Sequence, residues 1–455
     1  MKNASALFIA LAAIAGTAFA MDDWIDRIDE HLAISAFHGN VRARVSGLLD
    51  LEGYAFDQPA PGLILSDKHT LVNPRFTAFL DAQLGPNVYA FAQARVDRGF
   101  DPSDEGAHVR ADEYAVRVSP WSDGRFSVQI GKFATVVGNW VERHLSWENP
   151  FVTAPVPYEN LTGIWDRSAA DSADTLLTWA HVPHSAGEEE EYGGEYGNGG
   201  GEYAGEYSDG GGGEYSHSDE YSAANERARS GDNDKYQRVP IIWGPSYASG
   251  VSIAGRIGKF DYAAEMKNAS LSSRSDSWDV TEIGFEHPTF SGRFGFRPNE
   301  MWNLGFSASS GPYLRPEAEE TLPEGKHFGD YRELLLGQDI GFAWHHWQAW
   351  AEFYETRFKI PGVGDADTFA YYFEAKYKFT AQLFGALRWN QQLFDTIRYD
   401  SENVPWGNDL WRIDAAAGYR FTPHTQLKLQ YSLAHEQNAS RDYSHTFAGQ
   451  LTLKF

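Results

Sequence analysis

From His445 to Phe455 the chain alternates without a miss: Phe447, Gly449, Leu451, Leu453 and Phe455 fall on one face, Thr446, Ala448, Gln450, Thr452 and Lys454 on the other. A period of two specifies a strand whose two faces meet different surroundings. The same period starts at Asn40, where Val41, Ala43, Val45, Gly47, Leu49 and Leu51 alternate largely with Arg42, Arg44, Ser46, Asp50 and Glu52. It continues over residues 75–84 and 88–97, joined by the tight turn Gly85, Pro86, Asn87. There Phe76, Ala78, Leu80, Ala82, Val88, Ala90, Ala92, Ala94 and Val96 form the apolar face. Arg75, Thr77, Asp81, Gln83, Gln93, Arg95 and Asp97 form the polar one. Residues 112–119 and 125–133 make a further pair about a turn at 120–124.

Short turns therefore alternate with long loops, and the second half repeats the pattern. Short connections fall near 255–258, 298–301, 345–346, 380–382 and 422–425, several flanked by aromatics such as Trp344, Trp347, Phe379 and Tyr419. Longer ones lie at 269–288, 312–331, 360–368, 395–408 and 437–444. This is the pattern of an all-β transmembrane antiparallel barrel with short turns on the periplasmic side and long extracellular loops. Both chain ends then lie on one side, so strands come in even number. With 158–165 and 175–182 read as two further strands the count is about 18, and about 16 is the alternative.

The start of the chain sets the compartment. A lysine-bearing beginning, an apolar run over 6–14 and the small-residue site Ala18, Phe19, Ala20 form a secretory signal peptide over 1–20. Residues 21–39, with Trp24, Ile25, Ile28 and Leu32 at helical spacing, read as a short periplasmic segment, and 40–455 as the barrel. No apolar run approaches the ~18 residues of a spanning helix. Cysteine is absent, which excludes disulfides and thiol chemistry, and a net charge of −25 argues against nucleic acid as partner. Aromatics at 15% beside a mean hydropathy of −0.46 fit a barrel, in which only alternate residues meet lipid.

Three stretches are candidates for function. Residues 134–159 mix Trp140 and Trp147 with Glu142, Arg143, His144 and Glu148. A loop of this kind folded into the lumen would set a pore constriction, and the alternative is a cap on the barrel rim. The inward charges Arg42, Arg44, Arg75, Asp81, Arg95, Asp97, Glu113 and Arg117 would line the pore and bias ion passage, or else neutralise one another along the wall. The Gly-rich, acidic, Tyr-repeated stretch at about 184–240 reads as a disordered extracellular loop, with cation or glycan binding as the alternative. Isolated pairs such as His144 with Ser146, or His345 with His346, lack the spacing of a nucleophile elbow or a zinc site. No catalytic residue, metal or cofactor is expected.

The signal, the paired strands with alternating connections, and the terminal LTLKF ending on Phe455 together resemble the Gram-negative outer-membrane porins. The stretch 131–140 running to Asn149, Pro150, Phe151 is similar to a pattern of larger porin-like families. The resemblance implies an outer-membrane channel for passive diffusion of small hydrophilic solutes or ions. It also implies Phe455 as the signal read by the barrel-assembly machinery, outer-membrane lipids as surroundings, and a homotrimer as an oligomeric state common among such proteins. The alternative is a receptor or adhesin barrel that displays the acidic loop.

Overall fold

The computed structural model describes residues 25, 31–57, 60–64, 66, 68–98, 107–182, 237–274, 284–439 and 441–455. The signal at 1–20, nearly all of 21–30 and the acidic stretch up to residue 236 lie outside the described residues. The strands are β1 (Ala33–Ala36), β2 (Val41–Phe56), β3 (Thr70–Leu84), β4 (Val88–Arg98), β5 (Ala107–Val118), β6 (Ser127–Phe133), β7 (Ala248–Ile257), β8 (Phe260–Lys267), β9 (Thr289–Phe296) and β10 (Trp302–Pro312). They continue as β11 (Arg332–Trp344), β12 (Trp347–Ile360), β13 (Gly364–Lys378), β14 (Leu383–Phe394), β15 (Thr396–Tyr399), β16 (Glu402–Pro405), β17 (Leu410–Arg420), β18 (Thr425–Glu436) and β19 (Ser444–Lys454).

Sixteen of these, β2–β14 and β17–β19, pair antiparallel in chain order, and β19 closes the ring on β2 from Thr446 opposite Phe56 to Lys454 opposite Leu48. Strands β15 and β16 form a separate hairpin. Closure leaves the ring without open edges, and alternate side chains sort by solvent. Phe76, Leu80, Ile130, Phe294, Phe306, Phe373, Leu387 and Phe447 stand exposed on the outside, an apolar belt that only lipid suits. Asp50, Glu52, Gln93, Glu352, Arg388 and Lys428 are buried within.

The count is the alternative of 16, because 158–165 and 175–182 are not strands. Strand β6 pairs directly with β7, Phe133 opposite Ala248. The intervening chain holds a 3-10 turn at Val156–Tyr158 and a helix at Ala173–Trp179, whose first turn is capped by Ser172 accepting from the Thr175 amide. Even parity is met by no strands among the described residues here as well as by two. Leu176, Leu177 and Ala180 are buried together, a helical rather than a period-two set. Within the segment read as helical, Ala33–Ala36 is a strand. It pairs with Val41 to Arg44 of β2, on the edge that β19 leaves at Leu48.

One irregularity matters for the lumen. Between Gln93 and Ala94 the pairing with β5 skips a residue, so Glu113 lies opposite Gln93, Ala111 opposite Ala94, and Asp112 is extra. This bulge resets the alternation, and Asp112 and Arg110 are buried inside beside Glu113.

The last residue locks the seam. The Gly47 amide donates to the Phe455 carbonyl at 2.9 Å, and the Phe455 amide donates back to Gly47 at 3.1 Å. The Phe455 ring stacks on Phe76, centroids 6.3 Å apart, and covers Gly47 so closely that a Cβ there would lie 2.4 Å from it. Gly47→Leu should therefore overpack the seam by about 1–3 kcal/mol. The folded band in heat-modifiable gel electrophoresis should be lost at lower temperature than in wild type. An unchanged transition would show that the seam does not depend on this contact.

Candidate functional site

The chain leaves β6 at Ala134 and returns to β7 at Ala248, and the described part of this excursion, 134–182 and 237–247, runs through the barrel interior and out among the long loops at its loop end. Its first turn is fixed by wall carboxylates: Glu113 accepts from the Ala134 amide at 2.8 Å, and Glu265 accepts from the Thr135 hydroxyl at 2.6 Å. Gly138, at φ +78°, brings the backbone against Tyr354, Tyr158 and Glu352, where a Cβ would collide with all three. Glu352 then accepts from the Asn139 and Trp140 amides at 2.5 and 2.8 Å and from the Tyr158 hydroxyl at 2.7 Å.

Further along, wall side chains serve the backbone from the opposite side. Lys428 Nζ donates to the carbonyls of Ser146, Asn149 and Phe151 at 2.7, 2.9 and 3.0 Å. Gln430 accepts from the Val152 and Thr153 amides, and Asn390 from the Val156 amide at 3.1 Å. Arg388, fully buried, donates to the Thr153 and Ala154 carbonyls, pairs with Asp414 at 2.8 Å and lies 4.2 Å over the Phe151 ring. Arg412 binds the Ala154 carbonyl and Glu159. Towards the loop end of the barrel the segment enters an apolar core with Leu176, Leu177, Ile241, Ile242, Tyr313, Phe358 and Trp406, and the β2–β3 connection adds Ile64 against Val152.

The sequence candidates separate on this frame. Trp140 and His144 face the lumen opposite β3–β5. Arg143 turns away: it pairs with Glu374 at 2.5 Å, donates to the Tyr372 hydroxyl and lies 4.2 Å over the Trp350 ring. It is an anchor rather than a free charge. Trp147 is buried at the short-turn end of the lumen, with the Arg420 and Lys454 cations 5.0 and 5.4 Å from its ring, while Glu142 and Glu148 are exposed.

Of the inward charges, Arg75 pairs with Asp50 at 3.3 Å and Glu52 at 2.5 Å, and Arg95 with Asp112 at 3.0 Å and Asp97 at 3.5 Å. Arg110, outside the strand expected from the sequence, joins them through Asp112 at 3.1 Å. Arg117 donates to Gln129, Asp81 accepts from Tyr89, and Glu113 holds Ala134. Arg42 and Arg44 share the lumen parity of β2 at its exposed short-turn end. The opposed charges thus largely satisfy one another along the wall. Between this wall and Trp140, His144, Ser146 and Tyr158 a cavity of ≈ 90 Å³ remains.

His144 is the histidine of the segment in this gap. Its Nδ1 lies 2.6 Å from the Val141 carbonyl and its Nε2 2.7 Å from the Tyr247 hydroxyl, which itself accepts from Gln93 at 3.3 Å. A neutral ring fits both contacts, donating through Nδ1 and accepting at Nε2. Burial lowers its pKa from 6.5 to about 4, with Arg95 and Arg75 adding to the shift and the Val141 carbonyl and Asp112 opposing it. A depressed histidine contributes stability that is complete above pH 6.5 and is lost as pH falls through about 4. The thermal unfolding midpoint in detergent should fall between pH 6.5 and 4, and by less in His144→Gln. An equal fall in both proteins would contradict the half-buried neutral ring.

No family model matches the chain, and no curated protein matches it. Solved structures do. OmpF of Salmonella typhi, in complex with daunomycin, aligns at 9% identity over 93% of this chain and 100% of its own, TM-score 0.51. The anion-selective porin from Comamonas acidovorans aligns at 10% identity over 91% and 100%, TM-score 0.50. The outer-membrane channel DcaP of Acinetobacter baumannii aligns at 8% identity over 93% and 100%, TM-score 0.50. At such identities the likeness is one of architecture, and the fold of this chain is that of the outer-membrane porins.

Proposed function

We propose that the protein is an outer-membrane channel of a Gram-negative cell, through which small hydrophilic solutes or ions diffuse passively, and that the segment entering at Ala134 is its constriction. The observation that carries this reading is a closed barrel with an apolar belt outside and polar side chains inside, crossed by a segment that leaves a gap of ≈ 90 Å³ beside the wall. The apolar belt suits lipid, and the reading puts the short-turn end in the periplasm with Phe455 as the residue recognised during assembly. Selectivity by size dominates over selectivity by charge, because Arg75, Arg95 and Arg110 each sit against carboxylates.

The narrowness of the gap also favours a second reading, a closed barrel that displays its loops as a receptor. Planar bilayers separate the two. The purified protein should give small stepwise conductances. Glu374→Ala, which strips Arg143 of its buried partner at a cost of about 3–5 kcal/mol, should loosen the segment and enlarge the steps. A silent bilayer for both proteins at high load would contradict the channel and favour the receptor.

A further inference from the structure

Beside the gap the arginines are matched by carboxylates, and towards the short-turn end of the lumen they are not. A second cavity, of ≈ 440 Å³, lies there between Tyr89, Phe91, Arg117 and Gln129 of the wall and Ala134 and Val136 of the entry turn. Arg117 is exposed, and its Nε and Nη2 donate to the uncharged Gln129 Oε1 at 2.9 and 2.7 Å. Further cations are exposed at the same end of their strands. Arg256 shares the inward parity of Ser252, Lys378 that of Glu374, Lys454 that of Gln450, and Arg42 that of Asp50. Arg420, half-buried, lies over the ring of Trp147. None of these forms an ion pair with a described carboxylate, whereas Arg75, Arg95, Arg143, Arg293, Arg388 and Arg412 all do.

Arg44 and Lys376, of the same inward parity, add to the positive side. Against them stand Asp81, which accepts from Tyr89, Glu113, which holds the Ala134 amide, the exposed Glu142 and Glu148 of the segment, and the carboxyl terminus at Phe455. The balance is positive, in a chain whose net charge is −25, so the excess is a matter of placement and not of composition. A cleft lined by one sign of charge between low-dielectric walls concentrates ions of the other sign.

We infer that the short-turn mouth is an anion-gathering vestibule, and that the channel consequently passes small anions in preference to cations. The inference rests on the channel reading and adds the class of solute. The gap beyond the vestibule then selects by size among the ions gathered there.

Single channels in a planar bilayer under a KCl gradient test it, each protein being first shown by gel mobility to be a folded barrel. The zero-current potential should have the sign of chloride preference. Its size should differ between the two directions of the gradient, because the charges sit at one end and the Debye length is about 10 Å in 0.1 M salt but about 3 Å in 1 M. Arg117→Gln and Arg256→Gln should each at least halve the chloride-to-potassium permeability ratio, and a folding defect in one leaves the other to decide. Arg357→Gln, which removes an exposed arginine at the loop end of β12, should keep the wild-type ratio. Stepwise conductance with no preference or with preference for potassium would overturn the vestibule and leave the channel standing. So would a potential of equal size in both directions, a ratio unchanged in both vestibule variants, or one lowered as far by Arg357→Gln. A silent bilayer would overturn both.

Discussion

A chain that crosses the inside of a barrel has no adjacent strand to take its backbone hydrogen bonds, and each buried group left unmet costs about 1–3 kcal/mol. Here the wall provides the partners. Glu113, Glu265, Glu352, Asn390 and Gln430 accept from amides of the inserted segment, and Lys428, Arg388 and Arg412 donate to its carbonyls. Glu113 of β5 and Glu265 of β8 fix the entry turn, and strands β12–β14, β17 and β18 are the template on which the rest of the segment to Glu159 takes its irregular path. Its turns, such as that at Gly138, are tolerated because the wall meets them with side chains.

Beyond the entry turn the anchoring is one-sided, and it decides where a gap remains. The segment is bound to the wall carrying Glu352, Glu374, Arg388 and Lys428, and the gap lies against β3–β5, where the arginines already pair with carboxylates. The side towards the anchors is closed by charge-assisted hydrogen bonds, strong where water is excluded. At the loop end an apolar core around Leu176, Leu177 and Trp406 holds the segment a second time, and the β15–β16 hairpin lies over it, Tyr399 bonding to Asp174.

Much of the barrel was legible in the sequence, because lipid on one side and polar interior on the other impose a period of two. Parity alone placed Arg75, Arg95 and Asp97 inside and Phe76 and Leu80 outside. It failed where a local event resets it. The extra residue at Asp112 carries Arg110 and Asp112 into the lumen, and a bulge has no composition signature of its own. The stretch from Tyr158 to Val182 packs on the barrel interior and the long loops rather than forming part of the wall, so its buried residues carry no strand alternation. Nothing in the period of their strands marks Arg388, Lys428 and Gln430, and only the structure shows that each serves the same distant segment. Of the constriction candidates, Trp140 and His144 reach the gap, whereas Arg143 is spent on Glu374.

The central claim is that the segment between β6 and β7 lies inside the lumen against β12–β18, and its most direct measurement is a covalent link. The chain has no cysteine, so the pair Val156→Cys and Asn390→Cys reports on one contact, the 3.1 Å bond from the Val156 amide to the Asn390 side chain. In folded barrels under mild oxidation the two thiols should join, at positions far apart in sequence. Two thiols that stay separate, both labelled by a water-soluble maleimide in the folded barrel, would place the segment outside the lumen and contradict the account.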